Sequence, residues 1–349
     1  MKTLKSILAI TFGLLFFSCQ KEDLETYSTK NHTDLQSTSS RTLLHPSASL
    51  DLDLETTRTN MGGFAGHSMT AFKDHLWLVG GDNTNSAPWT VHSEVWKSKN
   101  GTDWKLATFN QFDNRRNHSL LTYKGKMWLI GGINDNNEIL SDIWNTEDGM
   151  HWNQVRSLSP LTEIGQNNSI VFKDRLFIFL GNGREHEQVW SSSDGINWRM
   201  ETQNAFPVRN QYKTIVYKEN IYIIGGLLRG SELTNEIWAS TDGIHWHQNR
   251  IASSIFESRI KHTATVFDGK VWIIGGQSWD KTGTRKFYGD IWYSSDMKYW
   301  FNYDKKQPLV KGLHSHESLN YNNKLWIFGG YRPDSSMSDL LEDNIWSAE

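Results

Sequence analysis

Five arginines stand in polar segments between apolar runs, where a guanidinium group can pair with a carboxylate or sulfate of a ligand. Arginine suits such groups because its planar fork donates two parallel hydrogen bonds. Four of them lie in the longest polar segments and the fifth precedes a short apolar run; they are Arg184, Arg229, Arg285, Arg332 and Arg116. We therefore take them as candidate contacts for an acidic ligand, and a solvated surface charge is the alternative for each.

Two tryptophans are also candidates for ligand binding. The chain has 17 tryptophans, and fifteen of them recur at fixed positions of a repeat. Trp89 and Trp279 do not, and both stand in long polar segments. An aromatic side chain in such a place can stack on a sugar or anchor a partner protein. The alternative is that each indole folds back as a small core for its own loop.

Four ring side chains recur at one position of the repeat and could serve in acid–base chemistry: His118, Tyr212, His262 and His316. His67 occupies the same position in the first repeat. The alternative is that these residues hydrogen-bond to neighbouring repeats. We favour that structural alternative.

Three arginines recur three residues before these ring side chains, namely Arg115, Arg209 and Arg259. Each shares its repeat with an acidic residue that comes later, and these acids are Asp142, Glu236 and Asp290. Repeats three and six lack both the arginine and the acid. Because the two residues are absent together, they are consistent with a structural pair. The pattern therefore favours buried ion pairs over ligand binding, which remains the alternative.

Two histidine pairs with alternate spacing could suggest a metal site, because alternate residues of a strand share a face. His245 and His247 flank Trp246, which the repeat places in the core, and no acidic cluster accompanies His314 and His316. The sequence has no glycine-rich phosphate loop and no nucleophile elbow. We therefore expect no metal and no cofactor.

These candidates are positioned by a repeat of about 50 residues. A Gly-Gly pair ends an apolar run in five repeats, and Gly181-Asn182 takes its place in the third; the pairs begin at Gly80, Gly131, Gly225, Gly275 and Gly329. An aliphatic-Trp pair and, in most repeats, a second Trp follow downstream. Asn-Gly and Asp-Gly turns between the two tryptophans predict tight hairpins with positive φ. Each repeat therefore predicts four short strands, A to D, and six such units predict an all-β, six-bladed β-propeller.

The last repeat ends after its strand C, whereas a strictly alternating segment precedes the first repeat. Leu50-Asp51-Leu52-Asp53-Leu54 has the period of a β-strand. We predict that a strand over about residues 49–55 completes blade six and closes the ring.

Loop lengths indicate which face of the propeller carries function. The A–B and C–D links are short, whereas the B–C segments look long and irregular; they are 82–92, 227–234, 277–288 and 331–343. Elaborate loops on a rigid scaffold commonly hold binding and catalytic residues. The face formed by the B–C and D–A segments is therefore the candidate functional face.

The Arg-x-x-His start, the strand that ends in Gly-Gly and the later Trp resemble kelch repeats over residues 63–349. This resemblance implies a propeller similar to the central domain of galactose oxidase. It also implies that arginines at the position of Arg115 can line the mouth, as they do in kelch propellers that bind acidic peptides. The copper radical cofactor of galactose oxidase contains a cysteine–tyrosine crosslink. That chemistry is not expected here, because the single cysteine is Cys19.

The N-terminus resembles a lipoprotein signal. Lys2 and Lys5 precede an apolar run over residues 7–17, and Cys19 follows where cleavage is expected. Gln20-Lys21-Glu22-Asp23 resembles the signal that sends Bacteroidetes lipoproteins to the cell surface. We therefore predict a signal peptide over residues 1–18, a lipidated Cys19 with a flexible tether over 19–48, and the propeller over 49–349. An ordinary secretory signal is the alternative.

The predicted function follows from these features. We expect an outer-membrane lipoprotein, exposed on the cell surface, that binds a glycan or a protein partner through the long-loop face without catalysis. The net charge of −3 gives no reason to expect nucleic acid, and the membrane is contacted through the lipid anchor only. The alternative is a carbohydrate-active enzyme that acts on acidic sugars. Resemblance to propeller polysaccharide lyases and to a kelch sialic-acid mutarotase keeps that alternative open.

Overall fold

The computed structural model describes residues 50–56, 60–82, 90–156, 169–181, 185–303, 309, 312–334 and 339–349. All regular elements in these ranges are β-strands. No helix within them is long and apolar enough to cross a membrane. The predicted signal peptide, Cys19 and the tether lie outside the described residues.

Strand β1 (Asp53–Thr56) comes first along the chain, and the following strands fall into antiparallel sheets that form the blades. Blade one contains β2 (Ser68–Phe72), β3 (His75–Asp82), β4 (Val91–Ser98) and β5 (Lys105–Thr108). Blade two contains β6 (Ser119–Tyr123), β7 (Lys126–Ile130), β8 (Ile143–Thr146) and β9 (Asn153–Gln154). Blade three contains β10 (Ser169–Phe172), β11 (Arg175–Leu180), β12 (Gln188–Ser192) and β13 (Arg199–Thr202).

The remaining blades follow the same order. Blade four contains β14 (Arg209–Asn210), β15 (Lys213–Tyr217), β16 (Asn220–Leu228), β17 (Leu233–Ser240) and β18 (His247–Gln248). Blade five contains β19 (Thr263–Phe267), β20 (Lys270–Ile274), β23 (Ile291–Ser294) and β24 (Phe301–Asn302), with the hairpin β21 (Gln277–Trp279) and β22 (Arg285–Phe287) between B and C. Blade six contains β25 (Glu317–Tyr321), β26 (Lys324–Phe328) and β29 (Ile345–Ala348), with the hairpin β27 (Tyr331–Pro333) and β28 (Asp339–Leu341).

The six A strands contact one another in sequence around a central axis, and the last of them, β25, contacts β2 of blade one. Six apolar clusters fill the spaces between adjacent blades. The tryptophan of each C–D turn enters such a cluster, and Trp246 of blade four packs 5.7 Å from Phe179 of blade three. The predicted six-bladed propeller is therefore confirmed, and its core lies between blades.

Turn chemistry explains the short links. The A–B turns use two residues with positive φ, such as Lys73 (46°) and Asp74 (58°), whose twist matches that of the paired strands. In the C–D turns, only the glycine of the predicted pair has positive φ, such as Gly243 at 77°. Ser240 Oγ accepts a hydrogen bond from the Gly243 amide at 2.8 Å, and Trp246 Nε1 donates to the Gly243 carbonyl at 3.1 Å.

Blade six is completed by the N-terminal strand, as predicted. Strand β1 pairs antiparallel with β29, and Leu54 lies opposite Trp346. The strand begins at Asp53, so its bounds differ from the predicted ones. Leu50 precedes it, is 2% exposed between blades five and six, and donates its amide to the Tyr303 hydroxyl at 2.7 Å, whereas Leu54 is 49% exposed.

The expectation that the B–C segments are irregular is wrong for the described ones. In blades one and four, strands B and C continue past the Gly-Gly pair, and in blades five and six a second hairpin follows it. The register shifts at the glycine pair in blades one and four, and the glycines have positive φ, such as 60° for Gly275 and 104° for Gly276. Glycine adopts these dihedral angles readily, so the regular ladder is interrupted at the pair and pairing resumes beyond it.

Candidate functional site

The residues at the start of each blade pack against glycine pairs. A Cβ atom on Gly275 would lie 2.3 Å from the Leu313 carbonyl oxygen and 3.1 Å from His316 Cε1 of blade six. A Cβ atom on Gly276 would lie 2.9 Å from His262 Cβ of its own blade. Each pair therefore leaves room for one ring of its own repeat and one of the next, which explains why the two features recur together.

Burial makes these ring side chains poor acid–base groups. His118, Tyr212, His262 and His316 are at most 3% exposed. Burial lowers the pKa of His262 to about 3 and that of His118 and His316 well below the usual value, and it raises the pKa of Tyr212. His316 Nε2 lies 3.0 Å from Thr263 Oγ1 of blade five. The hydrogen bond to a neighbouring blade that the structural alternative requires is therefore present for His316. Within the described ranges, the ring nitrogens of His118 and His262 and the Tyr212 hydroxyl have no hydrogen-bond partner, so these rings are held by packing.

The predicted ion pairs are present. Arg259 has a fully buried side chain that donates to both carboxylate oxygens of Asp290, at 2.6 and 2.9 Å, and to the Gly275 carbonyl at 2.9 Å. Asp290 also accepts a hydrogen bond from Trp292 Nε1 at 2.8 Å. Arg115 donates to both oxygens of Asp142 in the same way, whereas Arg209 donates to one oxygen of Glu236 at 3.0 Å. These three arginines are therefore engaged within their blades and do not line the propeller mouth.

A cavity of about 270 Å³, the channel mouth, lies where the blades meet on the B–C/D–A face. Each of five blades contributes the residue immediately before its strand-A ring residue; these are Gly66, Asn117, Gln211, Lys261 and Ser315. All five have φ between 53° and 62°. Backbone hydrogen bonds connect four of them in sequence: Asn117 donates to Gly66, Gly66 to Ser315, and Ser315 to Lys261, at 2.7, 3.0 and 3.0 Å. The rim of the mouth is therefore built from the backbone.

Among the described residues that line the channel mouth, cationic side chains outnumber carboxylates. Its lining contains Arg116, Lys213 and Lys261 but a single carboxylate, Glu317. Lys213 pairs with Glu317 at 2.9 Å, and both also line a second cavity of about 190 Å³. Burial lowers the pKa of Lys261, and no carboxylate in the described part of the chain lies within 4.0 Å of its ammonium group.

Arg116 is held at the edge of this mouth. One guanidinium nitrogen donates to Asn137 Oδ1 at 2.7 Å, and another lies 3.5 Å from an Asp82 oxygen. The Arg116 side chain is 28% exposed, so it is positioned by partners yet reachable from solvent. This geometry keeps one cation fixed in the cavity that Lys261 also lines.

A second polar cluster joins the hairpins of blades five and six. Arg285 donates to both oxygens of Asp339 at 2.8 and 2.9 Å, and its guanidinium lies 4.5 Å from the Phe287 ring centroid. His314 Nε2 lies 3.2 Å from Asp339. Burial opposes ionisation of Asp339, but hydrogen bonds from His314 and Arg285 lower its pKa to about 2. Arg285 is therefore largely committed to binding this carboxylate.

The remaining candidates are dispersed. Trp279 is partly buried and lies opposite Arg285 in the blade-five hairpin. Arg332 pairs with Glu342 at 3.0 Å, and Arg229 is exposed in the turn between β16 and β17. Trp89 and Arg184 lie outside the described residues. Of the arginine candidates that the structure describes, Arg116 is therefore the one that lines the channel mouth.

Lys261 is the main residue that the sequence analysis missed. It directly precedes His262, as Asn117 precedes His118 and Gln211 precedes Tyr212. Because the ring residues were already aligned, the preceding position could have been compared across the repeats. That comparison would have shown one lysine among glycine, amide and serine residues.

Neither histidine pair forms a metal site. His245 is exposed and pairs with Asp242 at 2.8 Å, and His316 is buried. Within the described ranges, no group of three or more histidine, cysteine, aspartate or glutamate side chains could hold a metal ion. The expected absence of a metal and a cofactor stays a prediction.

Blade three departs from the repeat and buries a carboxyl group. Glu187 is 1% exposed, and a Cβ atom on Gly181 would lie 2.7 Å from Glu187 Oε1. Its other oxygen has no hydrogen-bond partner, whereas Oε1 accepts a long hydrogen bond of 3.4 Å from the Arg209 amide. Burial raises the pKa of Glu187 to about 8, so the group is protonated in the folded state at neutral pH.

We expect this group to make stability decline with pH. The folded state holds the proton up to about pH 8, whereas the unfolded chain releases it near 4.5. Stability should therefore fall between these values by at most about 1.4 kcal/mol per pH unit. Urea unfolding across this range should show a flatter profile for Glu187→Gln, and the exposed Glu232→Gln should behave as wild type. If the stability of Glu187→Gln falls with pH as steeply as that of wild type, Glu187 is not the group that causes the decline.

Comparisons with known proteins agree with this architecture. Residues 66–276 and, again, 117–330 match the family described as KLHDC2/KLHL20/DRC7 Kelch-repeats domain. The solved structure of YjhT superposes with a TM-score of 0.63 at 12% identity, over 83% of this chain and 96% of that chain.

Two curated relatives are similar over part of their length. Protein tag-53 of Caenorhabditis elegans is 19% identical over 325 residues, which cover 82% of this chain and 23% of the relative. Ras guanine nucleotide exchange factor F of Dictyostelium discoideum is 22% identical over 187 residues, which cover 51% of this chain and 16% of the relative. The chain thus spans less than a quarter of either relative. Since the family matches together extend over residues 66–330, this chain belongs to the kelch-repeat family.

Proposed function

We propose that this protein binds an acidic group of a glycan or protein partner in the channel mouth, without catalysis, while a lipid on Cys19 holds it at the outside of the cell. One observation carries the binding proposal. The mouth is lined by three cationic side chains and one carboxylate, and Lys261 has no carboxylate within 4.0 Å in the described part of the chain. Asp339 and Asp82 act on Lys261 from beyond that distance, so a carboxylate or sulfate of a ligand would be its first direct ionic partner among these residues.

The chemistry of the lining fits such a group. Lys261 and Arg116 can donate charge-assisted hydrogen bonds, which are about twice as strong as neutral ones. The amides of Asn117 and Gln211 can add neutral donors at the rim. A cavity of about 270 Å³ is smaller than a typical drug-sized site, so it suits one side chain or one sugar substituent.

Catalysis is the less favoured function. The histidines and tyrosine considered for proton transfer are at most 3% exposed, and burial shifts their pKa values away from neutrality. A general acid or base must reach the proton it transfers, and these rings are packed between blades. The proposal for surface location rests on the sequence of residues 1–23, which resembles a lipoprotein signal.

Replacing Lys261 with methionine should weaken binding of an acidic ligand by about 10- to 150-fold, because a hydrogen bond to a charged group contributes about 1.5–3 kcal/mol. Isothermal titration of residues 49–349 with uronic-acid oligosaccharides, sulfated oligosaccharides and acidic peptides measures this loss. The matched control is Lys218→Met, an exposed lysine of an A–B turn whose Nζ donates to the Ser295 carbonyl at 2.8 Å. Equal affinities of wild type and Lys261→Met for every acidic ligand that binds would refute the proposal.

A further inference from the structure

We infer that a groove beside the channel mouth binds a neutral sugar residue, which makes the ligand a glycan that carries both neutral and acidic residues. The inference that the groove binds a neutral sugar is argued from the geometry of the groove itself. The inference that one glycan occupies both the groove and the mouth rests on the proposed function of the mouth. The groove, named here the amide groove, has a volume of about 550 Å³. It is lined by Asn110, Gln111, Phe112, Asp113, Asn114, Asn134, Asp135, Asn136 and Trp144.

The donor and acceptor groups of the amide groove match sugar hydroxyls. Five lining residues have side-chain amides, which both donate and accept, and two have carboxylates, which accept. A hydroxyl group also does both, so vicinal hydroxyls can pair with such side chains. None of the described residues that line the groove is cationic. An anionic ligand would therefore meet Asp113 and Asp135 without a compensating charge, which is the opposite of the channel mouth.

Two aromatic side chains form the apolar wall of the amide groove. Trp144 is partly exposed, and its indole nitrogen donates to Asp142 at 2.6 Å, which fixes the orientation of the ring. The Phe112 ring is 7% exposed, and its centroid lies 6.1 Å from that of Trp144 and 5.2 Å from the Arg115 guanidinium. A rigid aromatic surface beside polar groups suits the C–H face of a sugar ring.

Hydrogen bonds within the lining hold it in place before a ligand arrives. Asn114 donates to one oxygen of Asp135 at 3.0 Å, and the other oxygen accepts from the Val91 amide at 3.0 Å. Asn134 Oδ1 accepts from the backbone amides of Asn136 and Glu138 at 3.0 and 2.9 Å. Because these loops are ordered in advance, binding does not incur the entropy cost of ordering them.

Two lining side chains remain available. Asp113 and Asn136 are exposed, and their side chains form no hydrogen bond or ion pair with another residue of the described ranges. They differ in this respect from Asn114, Asp135 and Asn134. They are therefore the side chains that a ligand can engage without displacing an existing contact.

The amide groove and the channel mouth are formed by the same two chain segments. The link from blade one to blade two supplies Asn114 to the groove and Arg116 to the mouth, and the loop of blade two supplies Asn136 and then Asn137. Arg116 and Ile133 exchange backbone hydrogen bonds of 3.0 and 2.9 Å between these segments. A neutral sugar in the groove therefore places an adjoining acidic residue beside the mouth.

The test compares two variants of residues 49–349 with matched tetrasaccharides. The groove variant combines Asp113→Ala with Asn136→Ala, and the mouth variant is Lys261→Met. Three kinds of tetrasaccharide serve as probes: alternating neutral hexose and uronic acid, neutral hexose alone, and uronic acid alone. Each is used in gluco, galacto and manno forms. An acidic peptide is the non-glycan probe. Thermal unfolding checks that both variants fold.

We expect the groove variant to bind the alternating and neutral tetrasaccharides at least about 10-fold more weakly than wild type, with no change for the uronic tetrasaccharide or the peptide. The mouth variant should lose affinity for the acidic probes and keep it for the neutral one. If the groove variant matches wild type with every probe, or if no neutral or alternating tetrasaccharide binds wild type at millimolar concentration, the inference is overturned. Peptide binding that depends on the groove also overturns it. A loss in the groove variant alone would uphold the groove and reject the proposed function.

Discussion

Replacement of Arg259 by alanine is expected to lower the free energy of unfolding by about 3–5 kcal/mol, because it leaves the Asp290 carboxylate partly buried without its partner. The guanidinium also donates to the Gly275 carbonyl at 2.9 Å and lies 4.0 Å from the Tyr288 ring centroid. One side chain therefore connects the start of strand C, the end of strand B and the hairpin above the blade.

Urea unfolding monitored by tryptophan fluorescence measures this loss. Adding Asp290→Asn to Arg259→Ala should recover part of it, because the change removes the unpaired charge. The matched control is Lys126→Ala, whose partner Glu147 lies 3.1 Å away with both side chains exposed, and a loss below about 1 kcal/mol is expected there. A loss for Arg259→Ala as small as that of the control would show that the buried pair is not structural.

Replacement of Gly275 by alanine should also lower the free energy of unfolding strongly. The residue has a φ of +60°, and an added Cβ would lie 2.3 Å from the Leu313 carbonyl oxygen, so backbone of the adjoining blade would have to move. Left-handed backbone at a non-glycine residue costs about 1–3 kcal/mol, and the steric conflict adds to it. We expect a total loss above about 3 kcal/mol.

Gly269→Ala separates the two contributions. Gly269 has a φ of +64°, but a Cβ atom there would meet no atom within 4 Å. Thermal and urea unfolding of both variants should therefore show a loss of about 1 kcal/mol for Gly269→Ala, from backbone strain alone. Equal losses in the two variants would contradict the close packing of the glycine pair against the next blade.

The repeat made much of the fold predictable from the sequence. The ring residues and the tryptophans recur because they fill defined spaces between blades, and the Gly-Gly pairs recur because they leave room for the rings. The spacing of these residues along the chain therefore predicts the propeller. The pairing of Arg259 with Asp290 was predictable for the same reason, since the arginine and the acid appear and disappear together across most repeats. Strand β1 was predictable because its slot in blade six was vacant.

The candidate site was less predictable, because its residues do not share a pattern that packing enforces. Lys261 occupies a position where a left-handed backbone is required but the side chain is free to vary. Asn136 and Asp113 lie in separate segments, and only the folded chain brings them to one groove. The hairpins of blades five and six were missed because polar, glycine-poor strands above the blade lack the alternation that a half-buried sheet imposes.

A crystal structure of residues 49–349 with a bound acidic oligosaccharide would test binding at the channel mouth most directly. We predict a carboxylate or sulfate within hydrogen-bond distance of Lys261 Nζ, with Arg116 beside it. A ligand bound on the opposite face, or elsewhere with no acidic group near Lys261, would contradict the central claim that this propeller binds through the cationic mouth of its channel.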